Sequence, residues 1–283
     1  MAFFIQFWAM QVCFNGDFFP ANAPLLSVQN RSFKWGDGVF ETAKVYRGKL
    51  LLAALHHERL AVSLRLLGIK ASESLNPNQL TATVLELCRR NNCLASARVR
   101  LAVFRQDDGS AGYSIEAIPL PETTNSWQEE GLEIVLYPFA RKSMDAFANL
   151  KSANFLPYVL AQQYAVERGV DDALVLNAQS FLCDSSKANL FLIKGKNIYT
   201  PALHQGCING VMRRIVLQEC KKLGYRVFQD EVEESALLSA DEVFLTNAIQ
   251  VIRWVRQYKN AVYTCTETKR IFEAVSKILF TPE

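Results

Sequence analysis

The sequence predicts a two-domain α/β fold of the α+β kind, in which strands and helices are interspersed. Short runs that alternate apolar and polar residues indicate half-buried strands, and longer runs with apolar residues at helical spacing indicate helices. Residues 119–130 are polar, contain two prolines and have no periodicity, as is typical of a linker. We therefore predict a small N-terminal α+β domain over residues 1–121, a linker over residues 122–130 and a larger C-terminal domain over residues 131–283.

The N-terminal domain is predicted to contain mostly antiparallel strands and two helices. Its first two strands are joined by an Asn-Gly-Asp turn, which is a common hairpin connection. The predicted strands cover 11–19 (with that turn), 41–46, 50–54, 97–104 and 114–119, and the predicted helices cover 56–67 and 77–90.

The C-terminal domain is predicted to mix strands with three longer helices. The third helix closes the chain, and its apolar residues recur at the spacing of an amphipathic helix. The predicted strands cover 132–137, 173–176, 189–193, 198–200, 226–232 and 242–246, and the predicted helices cover 154–168, 209–223 and 266–280.

Composition excludes several classes of function. The 31 basic and 28 acidic side chains are spread evenly, so no basic stripe indicates a nucleic-acid partner. Seven scattered cysteines without a Cys-x-x-Cys motif indicate reduced core thiols in a cytoplasmic protein. With only three histidines, two of them adjacent, we expect no metal site.

The first ten residues are apolar but lack the basic start and the cleavage site of a signal peptide. They are also too short to span a bilayer, and no other run is long enough. We interpret them as an extension before the first strand, and we expect no membrane partner. Met10 could be the true start of the chain.

Lys151 is the residue around which the candidate chemistry is organised. It follows a polar loop and directly precedes an apolar, helix-patterned run. A lysine at the edge of an apolar core loses hydration, which lowers its pKa and frees the amine to attack a carbonyl. These are the requirements of a Schiff-base lysine, although a lysine beside a helix start is usually a solvated surface charge.

Three further features could serve the same chemistry. Asp184, between two predicted strands, could hold a pyridinium nitrogen. The glycine-bearing loop 204–210 runs into a helix whose free N–H groups can bind phosphate. Arg59 could grip a phosphate through two parallel hydrogen bonds. Each also has an ordinary explanation, as a turn residue, a glycine-rich helix start or a solvated arginine. Together they are the parts needed to bind pyridoxal phosphate.

At this point the sequence resembles the fold-type IV, class IV family of pyridoxal-phosphate enzymes. The family includes branched-chain aminotransferases, D-amino-acid aminotransferases and 4-amino-4-deoxychorismate lyase. The resemblance covers nearly the whole chain from Val12 onward. The matching motifs are Gly36-Asp-Gly-Val-Phe-Glu-Thr42, His56-x-x-Arg59-Leu60, Lys151-x-x-Asn154-x-Leu156, Ser186-x-x-Asn189-Leu-Phe, Thr200-Pro-x-Leu-x-x-Gly206 and Gly210-Val-Met-Arg213.

The resemblance implies a role for each of the matching positions. Lys151 would be the Schiff-base lysine, Arg59 a phosphate ligand, and Val211 and Met212 donors of backbone N–H groups to the phosphate. Asp184 stands where the family usually has Glu, and its carboxylate is one methylene shorter. The resemblance also implies a C-terminal pseudo-barrel domain, cofactor binding in the cleft between the domains, and a homodimer in which a partner-subunit loop completes the site.

The substrate-facing stretches favour the lyase over the transaminases. Asn247, which we include among the cofactor-binding residues, stands where branched-chain transaminases tend to have Gly-Thr-Ala. The runs 209–213 and 112–114 are also similar to those of the lyase. Lyases often carry an arginine where this chain has Ala111, so Arg105 would have to bind the substrate carboxylate instead.

We therefore predict a lyase that converts 4-amino-4-deoxychorismate to p-aminobenzoate and pyruvate, a step of folate biosynthesis. Lys151 would move the proton, and Thr42 would help to protonate the departing enolpyruvate. The alternative is an amino-acid transaminase that uses 2-oxoglutarate. A branched-chain type fits better than a D-amino-acid type, whose Arg-x-His motif is absent from residues 103–117. A third hypothesis is a cofactor-free binding module, which the retention of Lys151 and Arg59 argues against.

Overall fold

The computed structural model describes residues 10–281 and divides the chain into two compact units. The first unit runs to Glu122 and also includes Lys151–Asn154. The second comprises Thr123–Leu150 and the chain from Phe155 onward. The predicted N-terminal extension, residues 1–9, lies outside the described residues. The predicted linker and domain limits stay predictions, although the first unit ends close to the polar, proline-containing stretch.

The first unit is built on a six-stranded sheet in which every pairing is antiparallel. The strands are β1 (Gln11–Phe14), β2 (Asp17–Pro20), β3 (Gly38–Tyr46), β4 (Lys49–Leu50), β5 (Ser96–Arg105) and β6 (Ala111–Pro119), arranged in the order β2-β1-β6-β5-β3-β4. One face of this sheet forms the core of the unit, with Val39, Val45, Val99 and Val103 fully buried.

Among the described residues, three α-helices accompany this sheet: α1 (Arg31–Trp35), α2 (Ala53–Leu67) and α3 (Pro77–Arg90). Helix α3 has the predicted limits because Asn76 caps it through the Asn78 N–H and Pro77 occupies its first turn. The return strand predicted over residues 50–54 is present but ends at Leu50, so its predicted extent was wrong. Leu52 has a left-handed backbone with φ of 53°, which ends β4 and lets α2 begin at Ala53.

The second unit contains a nine-stranded sheet with both parallel and antiparallel pairs, and it forms a half-barrel. The strands are β7 (Leu132–Lys142), β8 (Asp172–Asn177), β9 (Leu182–Ser185), β10 (Asn189–Lys194), β11 (Asn197–Pro201), β12 (Arg226–Asp230), β13 (Glu242–Asn247), β14 (Val251–Tyr258) and β15 (Ala261–Val262). The path runs β12-β11-β10-β13-β14-β7-β8-β9, and β15 pairs with β14.

The described part of the second unit contains four α-helices: α4 (Leu156–Glu167), α5 (Val211–Lys222), α6 (Glu234–Leu238) and α7 (Thr266–Phe280). The predicted limits of α7 are correct. Its buried residues Thr268, Ile271, Phe272, Val275 and Leu279 recur at three- and four-residue intervals, which the sequence displays directly.

Residues 151–154, which fall within the predicted C-terminal domain, group with the first unit. Their backbone is bound to β3: the Phe40 N–H donates to the Lys151 carbonyl at 2.9 Å, and the Ala153 N–H donates to the Gly38 carbonyl at 2.9 Å. A bridge pairs Val39 with Ser152 between these bonds. Lys151 therefore packs with the first unit, although the chain on either side of the segment 151–154 belongs to the second.

Within residues 10–281, none of the helices is both long enough and apolar enough to cross a membrane. The same described residues contain no cluster of His, Cys, Asp and Glu side chains that could hold a metal ion.

Candidate active site

The strand β3 presents different chemistry on its two faces. Val39 and Val45 point into the core of the first unit, and alternation places Glu41 on that same face. Phe40, Thr42 and Lys44 therefore share the opposite face.

Lys151 lies on the face that carries Phe40. Its Nζ is 4.5 Å from the centroid of the Phe40 ring, a cation–π distance, and the residue is only partly exposed. Asn154, three residues after Lys151, lies close to Gly36, where an added Cβ would be 2.3 Å from the Asn154 Oδ1. Gly36 also has a φ of 66°, so both space and backbone conformation favour glycine there.

Arg100 is a residue of this face that sequence reasoning did not select. It pairs with Thr42 across β3 and β5, and its guanidinium carbon is 4.0 Å from the Phe40 ring centroid. Partial burial lowers the pKa of Arg100 from its usual value. The signal was present in the sequence, because Arg98 and Arg100 alternate with Val99 and Leu101 along a half-buried strand.

Thr42 and Lys44 complete this face of β3. The Thr42 hydroxyl has no hydrogen-bond partner among the described residues, so it is available to a bound molecule. Lys44 is buried, and burial lowers its pKa to about 8. This face therefore carries a second lysine whose amine is easily deprotonated. Lys44 follows Thr42 by two residues and Phe40 by four.

Arg59 is held by a buried carboxylate. Its Nε donates to Glu41 Oε1 at 2.8 Å, its Nη2 donates to Oε2, and His56 Nδ1 lies 2.7 Å from the same Oε2. Burial alone would raise the pKa of Glu41, but Arg59 and His56 lower it to about 2. These two hydrogen bonds use two of the three guanidinium nitrogens of Arg59 and fix the orientation of the guanidinium plane. The predicted phosphate role of Arg59 stays a prediction.

Arg105, the predicted substrate ligand, is committed to its own unit. Its Nε donates to Asp37 Oδ2 at 3.0 Å, its Nη1 to the Gly68 carbonyl at 2.8 Å and its Nη2 to the Leu67 carbonyl at 2.6 Å. Asp37 also pairs with Arg31 at 2.8 Å. Arg105 therefore fastens the loop of Asp37 to the end of α2, and Arg100 is better placed on the face of Lys151.

Asp184 belongs to the second unit and lies within β9, not between two strands as the sequence suggested. It is 2% exposed and accepts five hydrogen bonds. Four are to Oδ2, from Tyr158 Oη (2.7 Å), the Ile208 N–H (2.9 Å), Lys142 Nζ (3.4 Å) and the Cys183 thiol (4.0 Å), and one is to Oδ1, from Asn189 Nδ2 (2.8 Å). Burial raises the pKa of Asp184, and Lys142 opposes that rise.

The loop before α5 is shaped by a close approach to Asn189. An added Cβ on Gly210 would lie 1.9 Å from the Asn189 Oδ1, so only glycine fits. Asn189 Nδ2 also donates to the Ile208 carbonyl at 2.8 Å. Helix α5 begins at Val211 with no side-chain cap, and Val211 and Met212 are buried. The N–H groups of its first turn have no partner within the helix, which makes this turn a ready anion site.

Asn247 ends β13 and shapes the turn into β14. Its Oδ1 accepts hydrogen bonds from the Ile249 N–H at 3.0 Å and the Gln250 N–H at 2.9 Å. Val251, which follows, has a φ of 61°. Asn247 therefore acts first as a turn-forming residue, and its predicted contact with the cofactor stays a prediction.

The chain carries the groups that pyridoxal phosphate needs. The first unit supplies a partly exposed lysine and a fixed arginine, and the second supplies a buried carboxylate and a glycine-bounded helix start. The steric requirement at Gly210 and the uncapped first turn of α5 are structural observations that fit a phosphate group. The residues present thus fit the cofactor.

Comparison with known proteins agrees with this assignment. The model of the amino-transferase class IV family matches residues 38–258. A protein of Methanocaldococcus jannaschii named "Putative branched-chain-amino-acid aminotransferase" is 30% identical over 247 residues, covering 84% of each chain. The aminodeoxychorismate lyase of Vibrio harveyi is 30% identical over 232 residues, covering 78% of this chain and 82% of its own. The branched-chain aminotransferase structure from Thermoproteus uzoniensis superposes with a TM-score of 0.85 at 23% identity, covering 95% and 94%.

The fold and the site define a pyridoxal-phosphate enzyme. The chain belongs to the class IV aminotransferase family, because the family model matches well over half of it. The predicted family, fold type and cofactor are confirmed, and so is the prediction that the protein is an enzyme. The relatives carry both lyase and aminotransferase names, so their names leave the reaction of this chain open.

Proposed function

We propose that the protein is a 4-amino-4-deoxychorismate lyase, which releases p-aminobenzoate and pyruvate from its substrate. The observation that carries this proposal is Asn247, which sets the turn between β13 and β14 through two backbone hydrogen bonds. A branched-chain transaminase tends to have Gly-Thr-Ala there, and a threonine hydroxyl forms such turn bonds more weakly than an asparagine amide oxygen. The aminodeoxychorismate lyase named among the relatives supports the same choice.

The substrate has two carboxylates, and Arg100 is our candidate to bind one of them. It is partly buried, faces the same side of the sheet as Lys151, and stacks on the ring of Phe40. A partly desolvated guanidinium forms strong paired hydrogen bonds with a carboxylate. Arg105, which we predicted for this role, already donates to Asp37, Leu67 and Gly68.

The remaining residues have roles that follow from their chemistry. Bound pyridoxal phosphate supplies an aldehyde that links to an amine and a ring that withdraws electrons. We propose that Lys151 Nζ removes the substrate ring proton and that Thr42 Oγ1 helps to protonate the departing enolpyruvate. Arg59 and the N–H groups of Val211 and Met212 would bind the phosphate, and Asn247 would contribute to cofactor binding. Asp184 would pair with the ring nitrogen.

A transaminase is the second candidate, and Ala111 favours it. This residue is buried at the start of β6, where lyases often carry an arginine. In that reaction Lys151 would move a proton of an amino acid, and 2-oxoglutarate would be the second substrate. A branched-chain amino acid fits better than a D-amino acid.

A side-by-side assay of the cofactor-loaded protein tests the proposal. One arm supplies 4-amino-4-deoxychorismate, made enzymatically from chorismate, and measures p-aminobenzoate and pyruvate. The other supplies L- and D-amino acids with 2-oxoglutarate and measures glutamate. Aminobenzoate without substantial glutamate supports the lyase, and rapid glutamate formation without aminobenzoate would establish the transaminase instead.

We also propose that the protein works as a homodimer in the cytoplasm. Helix α4 exposes Leu156, Val159 and Leu160 on one face, and Phe139 beside it is 75% exposed. An apolar surface of this kind is typical of a contact between subunits. All seven cysteines are free thiols, and six of them are buried, as expected in a reducing compartment.

A further inference from the structure

The Asp184 carboxylate has more partners than a ring-nitrogen ligand requires. Four are neutral donors: the Tyr158 hydroxyl, the Ile208 N–H, the Asn189 amide and the Cys183 thiol at 4.0 Å. The fifth, Lys142, is a cation whose Nζ lies 3.4 Å from Oδ2. Oδ1 accepts only from Asn189 among the described residues, so it keeps a position for one further donor.

We propose that Lys142 is a positioning residue that acts through Asp184 and weakens the hold of the cofactor ring nitrogen on its proton. The uncharged Tyr158 hydroxyl has a similar but weaker effect, because it donates a hydrogen bond to the same carboxylate oxygen. This inference rests on the proposed role of Asp184 at the ring nitrogen, but it does not depend on whether the reaction is lyase or transaminase.

The position of Lys142 makes it part of the site rather than of the surface. It is the last residue of β7, it pairs with Asn177 of β8, and its side chain is only 10% exposed. Its Nζ is 5.3 Å from the centroid of the Tyr158 ring. Tyr158 lies in the first turn of α4, stacked on Phe155 with ring centroids 4.4 Å apart. The end of β7 thus places the Lys142 ammonium, and the start of α4 places the Tyr158 hydroxyl, against the same oxygen, Asp184 Oδ2.

The neutral donors already orient the Asp184 carboxylate, so Lys142 is not needed to hold it in place. Asn189 bridges Asp184 to the Ile208 carbonyl, while the Ile208 N–H binds Oδ2 directly. These bonds join Asp184 to the loop that precedes α5 and hold it in one orientation. What Lys142 adds is positive charge.

The other titratable groups that face Asp184 carry no compensating charge. They are Tyr158 from α4, Cys183 from β9 itself and Cys207 from the loop before α5. Burial raises the pKa of all three, that of Cys207 to about 12, so each is neutral near pH 7. Among the described residues, Lys142 is therefore the charged group in contact with the carboxylate.

The electrostatic consequence has a definite sign. A pyridinium is stabilised by the negative charge of Asp184 and destabilised by a nearby cation that shares this charge. Removing Lys142 should strengthen both the carboxylate's attraction and the ring nitrogen's hold on its proton. A ring that loses its proton more readily is a weaker electron sink, so Lys142 restrains the electron-withdrawing power of the bound cofactor.

The test is the nitrogen-15 resonance of ring-labelled pyridoxal phosphate, followed against pH in the holoenzyme. Lys142→Met should raise the pH at which the ring nitrogen loses its proton by roughly one to three units, the usual effect of one close charge. Tyr158→Phe, which keeps the ring and removes one donor, should shift it the same way by less. Lys142→Arg should restore the wild-type titration. Lys194→Met, on an exposed strand end, is the matched control and should change nothing.

The Asp184→Asn variant separates the two levels of the argument. It should lower the titration of the ring nitrogen, and adding Lys142→Met to it should have little further effect. If Asp184→Asn shifts the resonance but Lys142→Met and Tyr158→Phe do not, the inference about Lys142 is overturned. If Asp184→Asn leaves the resonance unchanged as well, Asp184 does not contact the ring nitrogen, and its proposed role falls too. Whether the protein forms p-aminobenzoate is measured separately, so the proposed lyase reaction is tested whichever result the resonance gives.

Discussion

Two arginines of the first unit show that the same residue type has different roles at different positions. Arg100 and Arg105 lie on the same strand, yet Arg105 uses its guanidinium on Asp37, Leu67 and Gly68. Arg100 instead stacks on Phe40, whose ring also contacts Lys151. The alternation of Arg98 and Arg100 with Val99 and Leu101 marks the face of Arg100, but the sequence does not show the partners of Arg105, because they come from distant segments of the chain.

We expect Arg100→Met to raise the KM for a carboxylate substrate at least about tenfold. A hydrogen bond to a charged group contributes about 1.5–3 kcal/mol, and a factor of ten corresponds to about 1.4 kcal/mol. Arg98→Met, a more exposed neighbour on the same face, is the control and should leave KM near the wild-type value. Equal effects of the two substitutions in steady-state kinetics would remove Arg100 from the substrate site.

The buried pair of Glu41 and Arg59 makes a second prediction, about stability and pH. Burial acts to raise the pKa of Glu41, but Arg59 and His56 lower it from 4.5 to about 2. A lowered pKa stabilises the fold above about pH 4.5, and this stabilisation is lost as the pH falls toward 2. The change corresponds to about 3 kcal/mol of the free energy of unfolding.

Urea unfolding of the wild type and of Glu41→Gln checks this prediction. The variant should be less stable near pH 7, and the difference should shrink when the pH falls below about 4.5. Glu86→Gln is the control, since Glu86 pairs with Arg89 and Arg90 on the solvent-facing side of α3 and should matter far less. A difference that stays constant with pH would show that the ion pair is not its source.

At the scale of elements, the sequence predicted best where local signals were strong. Helices α3 and α7 have the expected limits because a cap, a proline or a clear apolar period marks them. Strand β14 was not predicted, since Arg253, Trp254, Arg256 and Gln257 hide its alternation, and its place beside β7 and β13 is a long-range property. Strand β9 was missed for its shortness, which is why Asp184 was expected outside a strand.

The candidate site divides in the same way. Motif spacing was enough to propose Lys151, Arg59, Asp184 and the loop before α5 as site residues, and their roles stay predictions. It could not show that Lys151 packs on β3, or that Lys142 and Tyr158 bind Asp184, because those contacts join residues far apart in the chain. Hydrogen bonds from a strand end and a helix start leave no local pattern.

The loop before α5 gives a prediction at this scale. In Gly210→Ala the new Cβ would meet Asn189, whose amide binds both Asp184 and the Ile208 carbonyl. Because the loop must then shift, we expect the affinity for pyridoxal phosphate to fall at least about tenfold, the effect of losing about 1.4 kcal/mol of binding free energy. Titration of the apoprotein with cofactor, followed by absorbance, measures it.

Gly195→Ala is the control for that substitution. Gly195 lies in the turn between β10 and β11, and an added Cβ there meets no atom within 4 Å. Its φ of 57° makes the variant strained and less stable, but its cofactor affinity should be unchanged. A wild-type affinity in Gly210→Ala would mean that the loop does not bind the phosphate.

At the scale of the whole molecule, the proposed dimer can be tested by sedimentation velocity. We expect a mass of twice the 31.9 kDa chain for the wild type. Val159→Asp, in the exposed apolar face of α4, should shift the protein toward the monomer, since a charge cannot be buried unpaired in a subunit contact. Ile278→Asp, at an exposed position of α7, is the control and should stay dimeric. A wild type that sediments as a monomer at micromolar concentration would contradict the proposal.

The central claim is that Lys151 is the lysine that binds the cofactor, and borohydride trapping tests it most directly. The holoenzyme is reduced to fix the lysine–cofactor linkage, digested, and the labelled peptide is identified by mass spectrometry. We predict that the label lies on Lys151 and that Lys151→Ala abolishes it together with turnover. Label on Lys44, whose pKa burial lowers to about 8, or on Lys142 would contradict the account.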